Sequence, residues 1–263
     1  RKLIKLNSVN LKNTIENLID TFLEAGETAK KISEKGVKIT IKPDKSPVTD
    51  GDLAVDEILK DKIEILTPNI PIISEENVNL KIKNKYKNFW LIDPIDGTKD
   101  YIEKREEYTL NAALIVDLKP AAGIIYAPAK SRLFFSYGKN FAYEISRGKT
   151  KQLNCNKINK DKIIGLENSN NTPKEILDIY EKYKVSKTLK MSSSLKFCII
   201  ASGEADIYAA IARAYEWDIA AGHAILIHAG GFVTTHDGKD FLYGKKNYKN
   251  LPLIAKRSEN LEK

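Results

Sequence analysis

The sequence predicts a fold in two parts, an N-terminal α+β region joined to a C-terminal α/β region. Three observations support this prediction: a long amphipathic helix pattern near the start, a run of strand patterns through the middle, and strand–helix alternation after about residue 154. We therefore expect one subdomain over residues 1–152 and a second over residues 153–263, with the boundary near residue 152.

Two helices open the N-terminal part. Apolar residues recur there at intervals of three and four, which predicts one apolar stripe along the first helix. Gly36 is expected to end this helix, and a second helix is predicted over 52–66. Between them, 37–41 alternates like a strand and the prolines of 43–47 predict a loop. The stripe consists of Leu11, Ile15, Leu18, Phe22, Ala25, Ala29 and Ile32.

Strand patterns fill the rest of the N-terminal part. A short strand over 70–73 leads to Glu75, and a buried strand over 89–92 runs into Asp93. Further strands are predicted over 108–116, 121–126 and 132–137, followed by a hairpin that pairs 140–144 with 149–153. In the C-terminal part, strands at 162–166, 205–209 and 232–234 alternate with helices at 173–183, 192–202 and 218–229.

The composition is that of an ordinary globular protein, with 42% hydrophobic and 30% charged residues among 263. No apolar run reaches the roughly 20 residues that cross a bilayer, and the basic start at 1–6 does not resemble a secretion signal. Cys155 and Cys198 do not form a disulfide or zinc pattern. We therefore expect a cytoplasmic protein. A peripheral association with the inner face of the membrane stays open as an alternative.

The net charge of +8 does not by itself indicate a nucleic-acid partner. Nucleic-acid sites cluster Lys and Arg with aromatic residues, whereas the lysines here are spread along the chain, with local groups at 81–87 and at Lys245 and Lys246. Such lysines are typical of a solvated surface. The excess charge would still attract a small polyanionic substrate over long distances.

The strongest chemical signal lies where the strand 89–92 ends. Two carboxylates three residues apart can point to one spot from a tight turn, and they repel each other unless a cation neutralises them. Oxygen ligands without Cys or His favour Mg²⁺. Gly97 allows close backbone approach and, with Thr98, could start a helix whose N–H groups receive a phosphate. An ordinary Asp-Gly turn is the alternative. The segment reads Asp93, Pro94, Ile95, Asp96, Gly97 and Thr98.

Two other known motifs do not fit this segment. A calcium-binding helix–loop–helix requires acidic or amide residues at alternating positions before its glycine, and neither Pro94 nor the spacing from Asp93 to Asp96 supplies them. The haloacid-dehalogenase phosphatases have one residue between their paired aspartates, whereas two residues separate Asp93 from Asp96. A covalent aspartyl mechanism is therefore disfavoured.

Other acidic residues are candidates to join this site. Glu75 and Glu76 follow an apolar strand, so one of them is a candidate to point inward, although a solvated pair is the simpler interpretation. Asp218 lies at a predicted helix start, where an Asp is also a common cap. Two metal ions about 3.5–4 Å apart can activate a water and hold the leaving oxygen, so no nucleophilic side chain is required. Core or surface positions are the better interpretation for His223, His228 and His236.

Three motifs together resemble the lithium-sensitive, Mg²⁺-dependent phosphatases of the inositol monophosphatase superfamily, over nearly the whole chain. They are Ser74-Glu75-Glu76, the segment from Asp93 to Thr98, and Trp217-Asp218-Ile219-Ala220-Ala221-Gly222. The segments 46–52, 89–102 and 193–198 look most like the 3′(2′),5′-bisphosphate nucleotidase branch. The resemblance implies a layered αβαβα sandwich.

The resemblance also implies a set of metal ligands. Glu75, Asp93 and the carbonyl of Ile95 would hold one Mg²⁺. Asp93, Asp96 and Asp218 would hold a second ion. A third, weaker ion would lie near Glu75.

Catalytic and substrate contacts are implied in the same way. Asp52 would hydrogen-bond Thr98, and together with Glu75 they would orient and deprotonate the attacking water. Gly97 and Thr98 would present backbone N–H groups to the scissile phosphate. The residues on the substrate side would be Ser193, Lys196 and Asp218.

The reaction implied by the resemblance is hydrolysis of the 3′-phosphate of adenosine 3′,5′-bisphosphate to AMP and phosphate, with inhibition by Li⁺. The sulfated parent, 3′-phosphoadenylylsulfate, is a second candidate substrate. An inositol monophosphatase, with the same metal chemistry and a different pocket, is the enzymatic alternative. A non-catalytic regulatory module that binds RNA or protein is the alternative from another class. A homodimer is compatible with the sequence.

Overall fold

A computed structural model describes residues 8–80, 86–156, 161–168 and 171–261. The basic start at 1–6 and residues 81–85 of the lysine-rich segment lie outside the described residues. No helix in the described ranges is long and apolar enough to cross a membrane. The helices are α1 (Ser8–Lys35), α2 (Asp50–Leu66), α3 (Thr98–Ile102), α4 (Lys174–Lys182), α5 (Leu195–Ala201) and α6 (Glu216–His228).

The strands form a seven-stranded, a five-stranded and a two-stranded sheet. The strands are β1 (Ile39–Ile41), β2 (Pro47–Thr49), β3 (Ile72–Ser74), β4 (Phe89–Asp96), β5 (Thr109–Val116), β6 (Lys119–Ala127), β7 (Arg132–Gly138), β8 (Phe141–Ser146), β9 (Lys149–Gln152), β10 (Ile163–Glu167), β11 (Val185–Lys190), β12 (Ile207–Ala210), β13 (Phe232–Thr235) and β14 (Leu253–Lys256).

Connectivity differs between the two large sheets. The larger one runs in chain order from β3 to β9 and is antiparallel except for the parallel pair of β3 and β4. The smaller one has the order β11-β10-β12-β14-β13, with β10 parallel to β11 and β12. Each large sheet therefore lies within one predicted subdomain, since β9 ends at Gln152 and β10 begins at Ile163. The division near residue 152 stays a prediction, because α6 of the second part packs on the sheet of the first.

Helices and sheets stack in five layers. One face of the larger sheet packs against α1 and α2, and the other against α6 and α5. Successive side chains of β5 point to opposite faces of the sheet. Ala112 and Leu114 therefore belong to the core with α1 and α2, whereas Ala113 and Ile115 belong to the core with α5 and α6. The smaller sheet covers the other side of α5 and α6, and α4 lies outside it through Ile176. The structure thus confirms the layered αβαβα fold.

The helix pattern near the start is confirmed. The stripe residues Ile15, Leu18 and Phe22 are completely buried on the larger sheet. Helix α1 ends at Lys35, and Gly36 follows with a φ of +93°, a left-handed conformation that glycine adopts at little cost. Helix α2 begins two residues earlier than predicted because Thr49 caps it through a reciprocal capping box with Asp52.

Strand β4 differs from the prediction, because it continues through Pro94 to Asp96 instead of ending at residue 92. Asp93 pairs with Asn111 and Asp96 with Thr109, so three steps along β4 match two along β5. This irregularity is a bulge, which accommodates a proline that has no N–H to donate. Three strands were missed by the pattern: β2 is only 3 residues long and begins at the last residue of the predicted loop, β11 is an edge strand with mostly exposed residues, and β14 is only 4 residues long.

Two C-terminal helices begin at other residues than predicted. Helix α5 begins at Leu195 instead of residue 192, because Ser193 has a left-handed φ of 60° and Ser194 donates its N–H to Asp96. Helix α6 begins at Glu216, so that Asp218 is its third residue and not its first. The Asp218 side chain accepts the Tyr215 N–H at 2.8 Å, which satisfies one donor at the helix start.

Helix α6 lies very close to the larger sheet because β6 carries a glycine at the contact. A Cβ atom added to Gly123 would lie 2.7 Å from the Ala221 carbonyl oxygen and 3.0 Å from the Ala224 Cβ. Because the nearest atom belongs to the backbone of α6, a side chain at this position would fit only if the helix shifted. Gly123 therefore sets the distance between the sheet and the helix that carries Asp218.

We expect the substitution Gly123→Ala to destabilise the protein by about 1–3 kcal/mol through overpacking. Thermal unfolding should show a Tm lower by roughly 2–12 °C. The substitution should also move α6 and with it Asp218. An unchanged Tm would show that the helix moves away from the sheet without cost.

Candidate active site

Three carboxylates from distant parts of the chain converge at one end of the larger sheet. Glu75 follows β3, Asp93 lies in β4, and Asp218 lies in the first turn of α6. Each offers one oxygen atom, and these oxygens all lie within 4.8 Å of one another. A single divalent cation can contact all three at that separation.

Local structure explains why the three side chains meet. Strands β3 and β4 are parallel, and the Glu75 N–H donates to the Ile92 carbonyl at 3.1 Å, so Glu75 lies beside the next residue of β4, Asp93. Asp218 arrives from the other face, where α6 packs on β5 and β6. The convergence therefore depends on the sheet register and on the close contact at Gly123.

The environment of Asp93 would favour a bound cation. Its side chain is only 1% exposed, and its Oδ1 atom has no hydrogen-bond partner among the described residues. Burial and the negative charge of Glu75 raise the pKa of Asp93 well above its ordinary value. Burial, together with the charge of Asp96, does the same to the pKa of Asp218. An all-oxygen donor set with an unpartnered buried oxygen fits Mg²⁺.

Asp96 lies outside this group of three. Its Oδ2 accepts the Ser194 N–H at 2.5 Å, which turns the carboxylate toward the start of α5. Burial raises the pKa of Asp96 to about 6, against the lowering effect of the nearby Lys196 ammonium. The carboxylate still borders the same cleft as Asp218, so its role as a ligand stays a prediction.

Asp52 and Thr98 form a second polar pair at the site. The Thr98 hydroxyl donates to Asp52 Oδ1 at 3.1 Å, the hydrogen bond implied by the family resemblance, and it also lies 3.2 Å from the Ile95 carbonyl oxygen. The second oxygen of Asp52 accepts the Thr49 N–H at 2.8 Å. Burial raises the pKa of Asp52 despite these hydrogen bonds. Gly97, with a φ of +88°, turns the chain so that Thr98 begins α3.

Lys42 is a site residue that the sequence pattern missed. Its ammonium lies 3.0 Å from Glu75 Oε1 and 2.8 Å from Glu76 Oε2. Lys42 thus pairs with both glutamates, and the Glu76 side chain is the more buried of the two, at 4% exposed against 27% for Glu75. Lys42 follows strand β1, whose three residues are exposed. The sequence offers no signal for this contact, because 33 residues separate Lys42 from Glu75.

A cleft of about 280 Å³ extends from the acidic residues into the C-terminal part. Both predicted substrate-side residues, Ser193 and Lys196, border it. The Lys196 ammonium donates to the Ser193 carbonyl at 2.6 Å, and burial lowers the pKa of Lys196 to about 8. Other polar residues of the cleft wall, which the sequence pattern missed, are Asn168, Thr172, Tyr208, Arg213 and Asn250.

The histidines lie where the sequence predicted. His223 and His228 are buried in α6, and their Nδ1 atoms lie 2.9 Å from Tyr243 Oη and 2.8 Å from Ser136 Oγ. Burial lowers the pKa of His223 to about 3 and that of His228 to about 4, so both are neutral at physiological pH. His236 lies beside Glu175 at 2.9 Å. None of the three belongs to the acidic group.

Comparison with known proteins shows the family of this chain. The model of the inositol monophosphatase family matches residues 10–262. The chain belongs to the inositol monophosphatase family. Among curated members, the 3′(2′),5′-bisphosphate nucleotidase CysQ of Buchnera aphidicola is 38% identical over 250 residues, which cover 90% of this chain and 93% of that protein. The CysQ of Salmonella typhimurium is 31% identical, over 87% of this chain and 93% of that protein.

Solved structures of the family show the same fold. The crystal structure of CysQ from Bacteroides thetaiotaomicron superposes with a TM-score of 0.76 at 29% identity, covering 93% of this chain and 97% of that one. A staphylococcal IMPase-I complexed with products has a TM-score of 0.77 at 19% identity, covering 94% and 91% of the two chains. The second likeness concerns the fold alone.

We expect Mg²⁺ to stabilise the protein more at about pH 8 than at about pH 5. Asp93, Asp96 and Asp218 have folded-state pKa values raised above 3.8. Their contribution to stability is complete below about pH 4 and is lost as the pH rises through their folded pKa values, about 6 for Asp96. Bound Mg²⁺ removes this loss, so the difference in Tm between Mg²⁺ and EDTA should grow over that range.

The variant Asp93→Asn is the matched control for this measurement, because it removes the most buried of the negative charges. It should raise the Tm in EDTA at high pH and reduce the Mg²⁺ effect. An equal Mg²⁺ effect at both pH values in the unmodified protein would contradict the prediction.

Proposed function

We propose that the protein is a Mg²⁺-dependent phosphomonoesterase that hydrolyses the 3′-phosphate of adenosine 3′,5′-bisphosphate to AMP and phosphate. The observation that carries this proposal is the convergence of Glu75, Asp93 and Asp218 around an unpartnered buried oxygen. The name of the CysQ relatives supports a nucleoside bisphosphate as the substrate. The cleft beside the acidic group offers space for the nucleoside.

The proposed ligands would coordinate two or three Mg²⁺ ions. Glu75, Asp93 and the carbonyl of Ile95 would hold one ion, and Asp93, Asp96 and Asp218 a second, with a weaker one near Glu75. When bound, such ions neutralise the phosphate, lower the pKa of a water and stabilise the leaving oxygen. The protein contributes the fixed position of the carboxylates, which the sheet register and α6 provide.

Asp52 and Thr98 would move the proton of the attacking water. If the Thr98 hydroxyl donates to Asp52 Oδ1, its own oxygen is free to accept a proton from the water. The proton lost by Thr98 would pass to Asp52, whose pKa burial raises toward the range of a general base. Glu75 would help to orient the water, and the N–H groups of Gly97 and Thr98 would contact the scissile phosphate.

The first test is a panel of phosphate-release assays in Mg²⁺, with and without Li⁺. We expect faster turnover of adenosine 3′,5′-bisphosphate than of inositol 1-phosphate, and inhibition by Li⁺. The variant Asp93→Asn should lose at least about 10³-fold in kcat, about 4 kcal/mol of transition-state stabilisation. Faster release from inositol 1-phosphate would favour the inositol monophosphatase alternative. Absence of any release, with RNA binding retained at physiological salt, would favour a regulatory module.

We expect Asp52→Asn to lower kcat by about 10²–10⁴-fold, because an amide cannot take a proton from Thr98. The KM should change by a few-fold at most, since Asp52 contacts Thr98 and the capping residue rather than the cleft wall. Steady-state kinetics with saturating Mg²⁺ measure both values. A large rise in KM at constant kcat would place Asp52 in substrate binding instead of proton transfer.

A reducing compartment suits the proposed enzyme. Cys155 and Cys198 are both buried as free thiols, which is usual for proteins of the cytoplasm. The proposed partner is therefore a small phosphorylated nucleotide in the cytoplasm. The homodimer stays a prediction from the sequence.

A further inference from the structure

The cleft beside the acidic group has two cationic side chains in its described wall, Lys196 and Arg213. A nucleoside bisphosphate brings two phosphates, and only one of them can lie at the proposed metal ions. The other would enter a cleft that also contains the carboxylates of Asp96, Glu167 and Asp218. A cation of the cleft wall would offset the repulsion between these carboxylates and the phosphate.

Lys196 is already engaged by the protein. Its side chain is 4% exposed, and its ammonium donates to the carbonyls of Ser193 at 2.6 Å and Met191 at 3.3 Å. The same ammonium lies 5.0 Å from the centre of the Tyr208 ring. Its charge balances Asp96, whose pKa it lowers. Lys196 therefore supports the loop before α5 rather than offering a free charge.

Arg213 is the cation that remains free. It is exposed, and within the described ranges its guanidinium forms no ion pair or hydrogen bond. An unpaired guanidinium in the wall of a cleft has five N–H donors in a planar arrangement that suits a phosphate.

The loop that carries Arg213 is held in place on both sides. On one side, the backbone N–H of Arg213 donates to the carbonyl of Ile211 at 2.8 Å, and Ile211 directly follows β12. On the other side, Asn250 donates its backbone N–H to the Ala214 carbonyl at 3.0 Å and its Nδ2 to the Tyr215 carbonyl at 2.6 Å. The loop then enters α6, which carries Asp218. The backbone of Arg213 is thus fixed relative to the acidic group.

Apolar side chains border the same part of the cleft. Ile211 and Leu251 line it and are 38% and 51% exposed. These exposed apolar atoms can cover the uncharged part of a nucleoside. A cation beside an apolar wall suits a nucleotide better than an inorganic anion.

We infer that Arg213 binds the phosphate that is not hydrolysed, and that it makes the enzyme prefer nucleoside bisphosphates to monophosphates. The inference rests on the proposed function, because it assumes that the other phosphate lies at the acidic group. Arg213 is a specificity residue in this view, since it contacts a part of the substrate that does not react.

The test compares two substrates that differ only in the second phosphate, adenosine 3′,5′-bisphosphate and adenosine 3′-monophosphate. We expect Arg213→Gln to lower kcat/KM for the bisphosphate by about 10–100-fold, mainly by raising KM. The same substitution should change kcat/KM for the monophosphate by less than about threefold. Arg213→Lys should retain part of the preference. Arg147→Gln is the matched control, because Arg147 is an exposed residue of the β8–β9 turn outside the cleft.

Three results would overturn the inference. Equal losses for both substrates would show that Arg213 acts on the fold or on the reacting centre. An unchanged preference in Arg213→Gln, or an equal fall in Arg147→Gln, would show that no specific contact exists.

A failure of the proposed function would be recognised separately, as absence of phosphate release from both substrates by the unmodified enzyme. In that case, calorimetric measurement of ligand affinity in EDTA tests whether Arg213 binds a phosphate. Adenosine 5′-monophosphate should bind about tenfold or more tightly than adenosine to the unmodified protein, and Arg213→Gln should abolish the difference. Equal binding of the two ligands to the unmodified protein would contradict the inference.

Discussion

Repulsion between closely spaced carboxylates is the constraint on which the rest of the structure depends. One carboxylate oxygen each of Glu75, Asp93 and Asp218 lies within 4.8 Å of the others, where unscreened like charges oppose folding. Apolar packing must hold them there. The two large cores on either face of the seven-stranded sheet supply that packing, and the backbone pairing of β3 with β4 fixes the first two carboxylates. The fold thus concentrates negative charge at one place at the cost of stability without metal.

Hydrogen bonds reduce that cost unequally among the acids. Asp218 accepts the Tyr215 N–H, Asp96 the Ser194 N–H and Asp52 the Thr49 N–H, and each bond stabilises the ionised carboxylate. Lys42 neutralises part of the charge of Glu75. Asp93 Oδ1 has no such partner among the described residues. A cation would therefore stabilise Asp93 more than the other acids, and an ion shared by several ligands would lie beside it.

How much the sequence could predict follows from the distance over which each feature is determined. Helix α1 and the segment from Asp93 to Thr98 depend on neighbouring residues, so periodicity and spacing located them. The meeting of Asp218 with Asp93 joins residues far apart in the chain, and only the family resemblance implied it. Lys42 and Arg213 had no local signal at all, because a lysine or arginine in a loop looks the same whether it is solvated or faces a site. The bulge that carries β4 past Pro94 depends on its partner β5, which the pattern of β4 alone does not contain.

Lys196 and Arg213 carry the same formal charge and line the same cleft, but they differ in burial. Lys196 belongs to the protein interior, where its ammonium holds the carbonyls of Met191 and Ser193 and so fixes the backbone that presents the Ser194 N–H to Asp96. Removing it would therefore disturb the acidic group itself. Arg213 lies at the surface of the cleft, and its charge is not compensated within the described residues. Because a compensated charge adds little to binding while a free one can pair with an incoming anion, we propose that the arginine recognises the substrate and that the lysine supports the acidic group.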